Sequence, residues 1–213
     1  MKRWRQTQQS RAGLTLIELI LALGVTSLVA AGVAMVMFAT ARGTSSSQDV
    51  HGLVIKHKII DSRLGGLVRS CQMVLATGSN YMVLWVFDTA GNGVPNRDEI
   101  RYIEFNSTTN EVWSYKTVWP SGWTQDQINA ANTAYPLTTA FGTVIPALKG
   151  QATFIGERWA TGVTGFSVTL NNAVAQSASL VNYTVTITQA SGAEPVYGAA
   201  ALRNWIVNAG GGN

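Results

Sequence analysis

The chain has 213 residues, 46% of them hydrophobic and only 12% charged, with a single cysteine. Soluble domains average about a quarter charged residues, so this composition excludes a highly charged disordered tail and sits badly with an ordinary cytosolic enzyme. Cys71 alone builds neither an internal disulfide framework nor a cysteine zinc site. Fifteen basic side chains stand against 11 acidic ones, but Lys2, Arg3, Arg5 and Arg11 fall in the first 13 residues, where there is no acid. The other 11 basic residues are matched by the 11 acids. A neutral body lacks the basic footprint that phosphate recognition needs, so no nucleic-acid partner is expected.

Residues 1–13 form a polar, basic leader. From Leu14 to Ala41 the chain is apolar or small, with one charge, Glu18. Leu19 to Ala41 is uncharged throughout and as a helix spans roughly 34 Å, against roughly 30 Å for the hydrocarbon core of a bilayer. This predicts a membrane-spanning helix that contacts lipid, and the four leading cations place its N-terminus in the cytoplasm. The apolar run is too long for a secretory signal, whose core is about 7–15 residues; an uncleaved signal anchor is the competing reading.

Glu18 is the informative residue, because a carboxylate in a bilayer segment is costly and usually functional. Cleavage between Gly13 and Leu14 would give Leu14 a charged α-amino group one helical turn before that acid. Such an ammonium and the Glu18 carboxylate of a neighbouring subunit could neutralise each other in a low-dielectric packing. A snorkelling acid at the interface is the alternative.

The segment Ala12-Gly13-Leu14-Thr15-Leu16-Ile17-Glu18-Leu19 resembles the prepilin cleavage and methylation motif of type IV pilins and type II secretion pseudopilins. Leu14, where Phe is the commoner residue, still supplies a bulky apolar side chain. The resemblance implies that a prepilin peptidase of the bacterial inner membrane cuts after Gly13 and N-methylates Leu14. It implies too that Glu18 guides docking into a filament. The implied partners are that peptidase, an inner-membrane assembly platform, other pilins or pseudopilins through the stem helix, and membrane lipid before assembly.

Beyond a polar patch at 42–49, residues Val50 to Leu75 place apolar side chains at three- and four-residue steps, with Lys56, Lys58, Arg63 and Arg69 mostly between them. This predicts an amphipathic stem helix over 42–76, loosened near Gly43–Ser47 and Gly65–Gly66. Cys71 falls on its apolar stripe and is expected to be buried. His51 and His57 lie six residues apart and share no helical face as metal ligands would.

From Gly78 the signal changes to β. Strands are expected at 81–87, 99–106, 111–116, 165–170 and 180–188, rich in β-branched and aromatic residues and separated by Gly, Asn, Ser and Pro clusters. Residues 117–150 read as an irregular insertion with a helical turn at 126–131. Val196–Val207 reads as a last strand and 208–213 as a disordered tail. The expected fold is thus α+β: leader 1–13, assembly helix 14–41, stem helix 42–76, and an antiparallel β-sheet head over 77–213 packed on the stem. The features Ile60, Leu64, Leu67-Val68-Arg69, Asp88, Gly93, Glu99-Ile100-Arg101-Tyr102 and Leu202-Arg203-Asn204 make the head similar to the J-type pseudopilin and PilW-like minor pilin groups.

One loop invites a metal. Counting Asp88 as position 1 puts Asn92 at 5, Gly93 at 6, Asn96 at 9 and Glu99 at 12, the spacing of an EF-hand calcium loop. Ala90 at position 3 offers no oxygen and Pro95 interrupts, so a hairpin loop using Gly and Asn as turn formers competes with calcium binding. No nucleophile elbow, phosphate loop or dinucleotide fingerprint is present. Asp98, Glu99, Glu104 and Glu111 are expected to face solvent, and Trp119 and Trp123 are candidates for either core or a contact patch. The expected function is a non-enzymatic structural subunit of a type II secretion pseudopilus. The alternatives are a minor type IV pilin for adhesion, motility or DNA uptake, and a membrane-anchored periplasmic binding protein that never polymerises.

Overall fold

The computed structural model describes residues 15–189 and 192–202. The tail expected at 208–213 and residues 203–207 of the expected last strand lie outside them. The chain divides into two units, Met1–Gln48 and Asp49–Asn213. Helix α1, Leu16–Ser70, contributes to both. Its first part, Leu16–Arg42, has a mean hydropathy of 2.4 and none of it is buried, so it is long and apolar enough to cross a membrane.

The second unit is α+β. β1 (Met73–Thr77), β2 (Tyr81–Trp85), β3 (Ile100–Asn106), β4 (Glu111–Thr117) and β5 (Phe154–Thr161) form, among the described residues, one antiparallel sheet in chain order. β6 (Val163–Leu170), β7 (Leu180–Gln189) and β8 (Gly192–Ala201) form a second. Gly162, at φ +73°, is all that separates β5 from β6, and its left-handed backbone turns the chain from one sheet into the other. α2 (Gln125–Ala131) and α3 (Phe141–Val144) lie within the expected insertion. Thr124 starts α2 with a capping box: its N–H donates to Gln127 Oε1 at 2.8 Å, while Gln127 N–H donates to Thr124 Oγ1 at 3.4 Å.

Two apolar clusters hold the unit together. The first joins Ile60, Leu64 and Val68 of α1 to Met82 and Leu84 of β2, Ile103 and Phe105 of β3, and Val181, Tyr183, Val185 and Ile187 of β7. The second lies on the opposite face of the five-stranded sheet, where Val83, Trp85, Ile100 and Tyr102 meet Phe141, Ile145, Leu148 and Phe154. Neighbouring residues on β2 alternate between these clusters, which explains why Tyr-Met-Val-Leu-Trp is apolar without a break: both faces are buried. Asp61 and Tyr183 add a polar link, the phenol of Tyr183 donating to the Asp61 carboxylate.

The stem helix ends earlier than its sequence pattern predicts. Ser70 is its last residue, and Val74 and Leu75 belong to β1. Val74 joins the first cluster and Leu75 the second, so consecutive side chains point to opposite faces, the strand period and not the helical one. Gln72 N–H donates to Trp85 O at 2.8 Å and fixes the strand beside β2. The helix is also unbroken through 43–47 and 65–66. β5 is the second strand absent from the sequence reading: Gly-Glu-Arg in its middle masks it, yet as an edge strand it pairs along Glu111–Thr117.

Candidate functional site

At the N-terminal end, Thr15 and Glu18 stand in the T-x-x-E spacing of a capping box. The Thr15 N–H and hydroxyl each reach Glu18 Oε2 at 3.4 Å, and Glu18 N–H donates to Thr15 O at 3.0 Å. The carboxylate therefore answers an orphan donor of the first turn and sits at the positive end of the helix dipole. Gly13 and Leu14 lie outside the described residues. The apolar helix that follows exposes Leu16 by 79% and Leu28 by 76%. Its hydroxyls are satisfied internally: Thr26 donates to Ala22 O at 2.8 Å, Ser27 to Gly24 O at 2.9 Å and Thr40 to Val36 O at 2.5 Å. Between Leu19 and Ala41 every hydroxyl thus has a backbone acceptor within its own helix. Arg42 closes it with its guanidinium 4.3 Å from the Phe38 ring centroid, so the cation sits where the apolar run stops.

The Asp88–Glu99 loop brings its expected ligand residues together, with other partners. Asp88 accepts from the N–H groups of Asn92 at 3.1 Å and Gly93 at 3.0 Å. Asn92 Oδ1 accepts from Val94 N–H, and its amide donates to Asn96 Oδ1 at 3.4 Å. Glu99, 1% exposed, receives Trp85 Nε1 at 3.1 Å and Asn96 N–H at 2.9 Å on Oε2, and the Thr89 hydroxyl at 3.0 Å and Ala90 N–H at 3.1 Å on Oε1. Burial alone would push the Glu99 carboxyl up, but these four donors outweigh it and hold it below the ordinary carboxylate range. The oxygens that calcium would need thus face donors that tie the loop to itself, and Gly91 and Gly93 supply its positive φ angles. Among the described residues no group of three His, Cys, Asp or Glu side chains is placed to hold a metal ion.

The strand carboxylates expected at the surface turn inward or pair. Glu99 is the buried anchor just described; Glu104 takes Lys149 Nζ at 2.8 Å, and Glu111 takes Arg158 at 2.9 Å and Trp113 Nε1 at 3.0 Å. Trp119 and Trp123 stack on each other with centroids 5.8 Å apart, and Arg97 lies 5.7 Å from the Trp119 ring. Trp123 keeps 36% of its surface. Cys71 is 1% exposed, and burial pushes its thiol up to about 12, so it is inert at neutral pH.

Compared with known proteins, the chain matches no family model, no curated protein and no solved structure.

Proposed function

We propose that the protein is a minor pilin-like structural subunit, processed by a prepilin peptidase after Gly13 and assembled through its stem helix into a type II secretion pseudopilus. The observation that carries this reading is the coupling of an apolar, fully exposed helix over Leu16–Arg42 with a lone carboxylate in its first turn. In a helix made only to anchor the protein, Glu18 would do no more than cap the first turn through Thr15. A helix that leaves lipid to bundle with its siblings can use Glu18 to set register against the Leu14 ammonium of a neighbour. Antiparallel sheets packed on the inner face of α1 agree with the head that the sequence resemblance implies. In this reading the N-terminus is cytoplasmic, the head is periplasmic, and the role is mechanical and not enzymatic.

Mass spectrometry of the cell-derived protein tests the proposal. The expected N-terminus is N-methylated Leu14, and Glu18→Ala should be cut normally yet enter filaments poorly. An N-terminus at Met1 overturns the reading in favour of a membrane-anchored protein that stays single, and equal incorporation of the Glu18→Ala chain removes Glu18 from the setting of register.

A further inference from the structure

The three-stranded sheet turns one face to the first apolar cluster and the other to solvent. On β8, Val196 and Ala200 point into the cluster, so strand alternation puts Ala193, Pro195, Tyr197, Ala199 and Ala201 on the outward face. On β7 the same rule sends Asn182, Thr184, Thr186 and Thr188 outward, between the buried Val181, Tyr183, Val185 and Ile187. Ser167 and Thr169 of β6 join them, alternating with the inward Phe166, Val168 and Leu170. Strand register then sets two rows across the sheet, Ser167–Thr184–Tyr197 and Thr169–Asn182–Ala199.

Lys, Arg, Asp and Glu ordinarily occupy a solvated face, yet none of these outward positions holds one, and Glu194 falls on the alternate positions of β8. Tyr197 is the large side chain of the face and is 74% exposed. Ala199 leaves room beside its ring, where a depression of about 310 Å³ is lined by Asn182, Thr184, Tyr197 and Ala199, at the lower end of small-molecule sites. Among the described residues, the one side-chain hydrogen bond on this face runs at its far end, from the Thr188 hydroxyl to Thr164 Oγ1 at 3.1 Å. The donors and acceptors of both rows are therefore open to a ligand.

We infer that this face binds an extended, uncharged polysaccharide, one sugar ring stacked on Tyr197 and its neighbours hydrogen-bonded along the two rows. A sugar ring presents a face of C–H bonds that rests on an aromatic plane, and a rim of hydroxyls that both donate and accept. Ser and Thr hydroxyls and the Asn amide offer the same dual capacity. The absence of charge gives nothing to a nucleic acid, an acidic peptide or an anionic lipid headgroup. A single aromatic among alanines and hydroxyls is too little apolar surface for the core of a stable protein interface. Pro195 blunts the β8 edge against an added strand, which leaves the face as the place to bind. An open sheet surface also suits a ribbon-like chain better than a coiled one. The inference does not depend on the proposed function.

Calorimetry and saturation-transfer NMR on the full-length protein, held in a polyoxyethylene detergent that carries no sugar, provide the test. The probes are cellohexaose and chitohexaose, with maltohexaose as the coiled comparison and heparin as the charged one. Binding of cellohexaose or chitohexaose is expected. Tyr197→Ala should weaken it about tenfold, Thr184→Val about fivefold, and Tyr197→Phe, which keeps the ring, by less than about threefold. Because Tyr197 lies in solvent, its variants should melt with the wild type, so a weaker affinity reports a lost contact. Binding of neither hexaose, equal binding of maltohexaose or heparin, or an affinity indifferent to Tyr197→Ala overturns the inference.

Discussion

Four donors converge on the two oxygens of Glu99, and two of them, Trp85 Nε1 and Asn96 N–H, share one oxygen. An amide in place of the carboxylate keeps one acceptor oxygen and turns a donor toward the others. Glu99→Gln is therefore expected to destabilise the head by roughly 2–4 kcal/mol, from unpaired buried donors, read as a lower midpoint in urea. The acid dependence has a definite sign. Because the folded state holds Glu99 below its ordinary range, its contribution is present in full above the unfolded carboxylate pKa and fades as pH falls through the lower, folded value. Wild type should lose stability steeply in that acidic window, and the Glu99→Gln chain should lose less; equal acid slopes for the two would remove Glu99 from the account. Small residues matter as seats. A methyl group on Gly198 would overlap the Tyr183 ring, and one on Gly156 would come within 2.6 Å of the Tyr115 ring, so these glycines let an aromatic lie flat across the adjoining strand.

The elements differ in how openly the sequence declares them. β2, β3, β4, β6 and β7 were legible because their β-branched and aromatic content is dense and their turns are marked by Gly and Asn. The apolar helix was legible for its length alone. β1 was not, since Cys71, Val74 and Leu75 continue a helical spacing by coincidence, and only pairing with Trp85 and Leu84 reveals the change of period. The insertion looked irregular, although Phe141, Ile145 and Leu148 stand at helical steps and face one way into the second cluster. The role of Glu99 was hidden for another reason: two of its four partners are backbone donors, which have no sequence signature, and the side-chain donors Trp85 and Thr89 stand 14 and 10 residues away. Phe141 is the largest fully buried side chain of that insertion, 2% exposed. Phe141→Ala should cost about 3–5 kcal/mol by cavity formation, measured by chemical denaturation. A cost under about 1 kcal/mol would mean that the insertion is a loose flap and not the cover of the second sheet face.

At the scale of the molecule, exposed apolar surface is concentrated in the first unit, where Leu16, Leu28, Met35 and Val36 are each at least 66% exposed. The second unit buries its own apolar clusters. A chain beginning at Asp49 should accordingly remain in aqueous solution with a cooperative melt, whereas the longer chain should rise with vesicles in a flotation assay. Recovery of both in the aqueous fraction would contradict the expectation that Leu16–Arg42 crosses a membrane.

Strand order within each sheet follows chain order, β1 through β5 and then β6 through β8. Within each sheet every strand after the first consequently finds its hydrogen-bonding mate already made and immediately upstream, with residues 118–153 between β4 and β5 as the longest wait. Such a meander keeps pairing local, which favours rapid folding and spares the nascent polypeptide long searches. The first cluster, by contrast, closes only when Val181–Ile187 arrive, so a ribosome stalled before β7 would display an inner face of the first sheet covered by α1 alone, a ready target for chaperones.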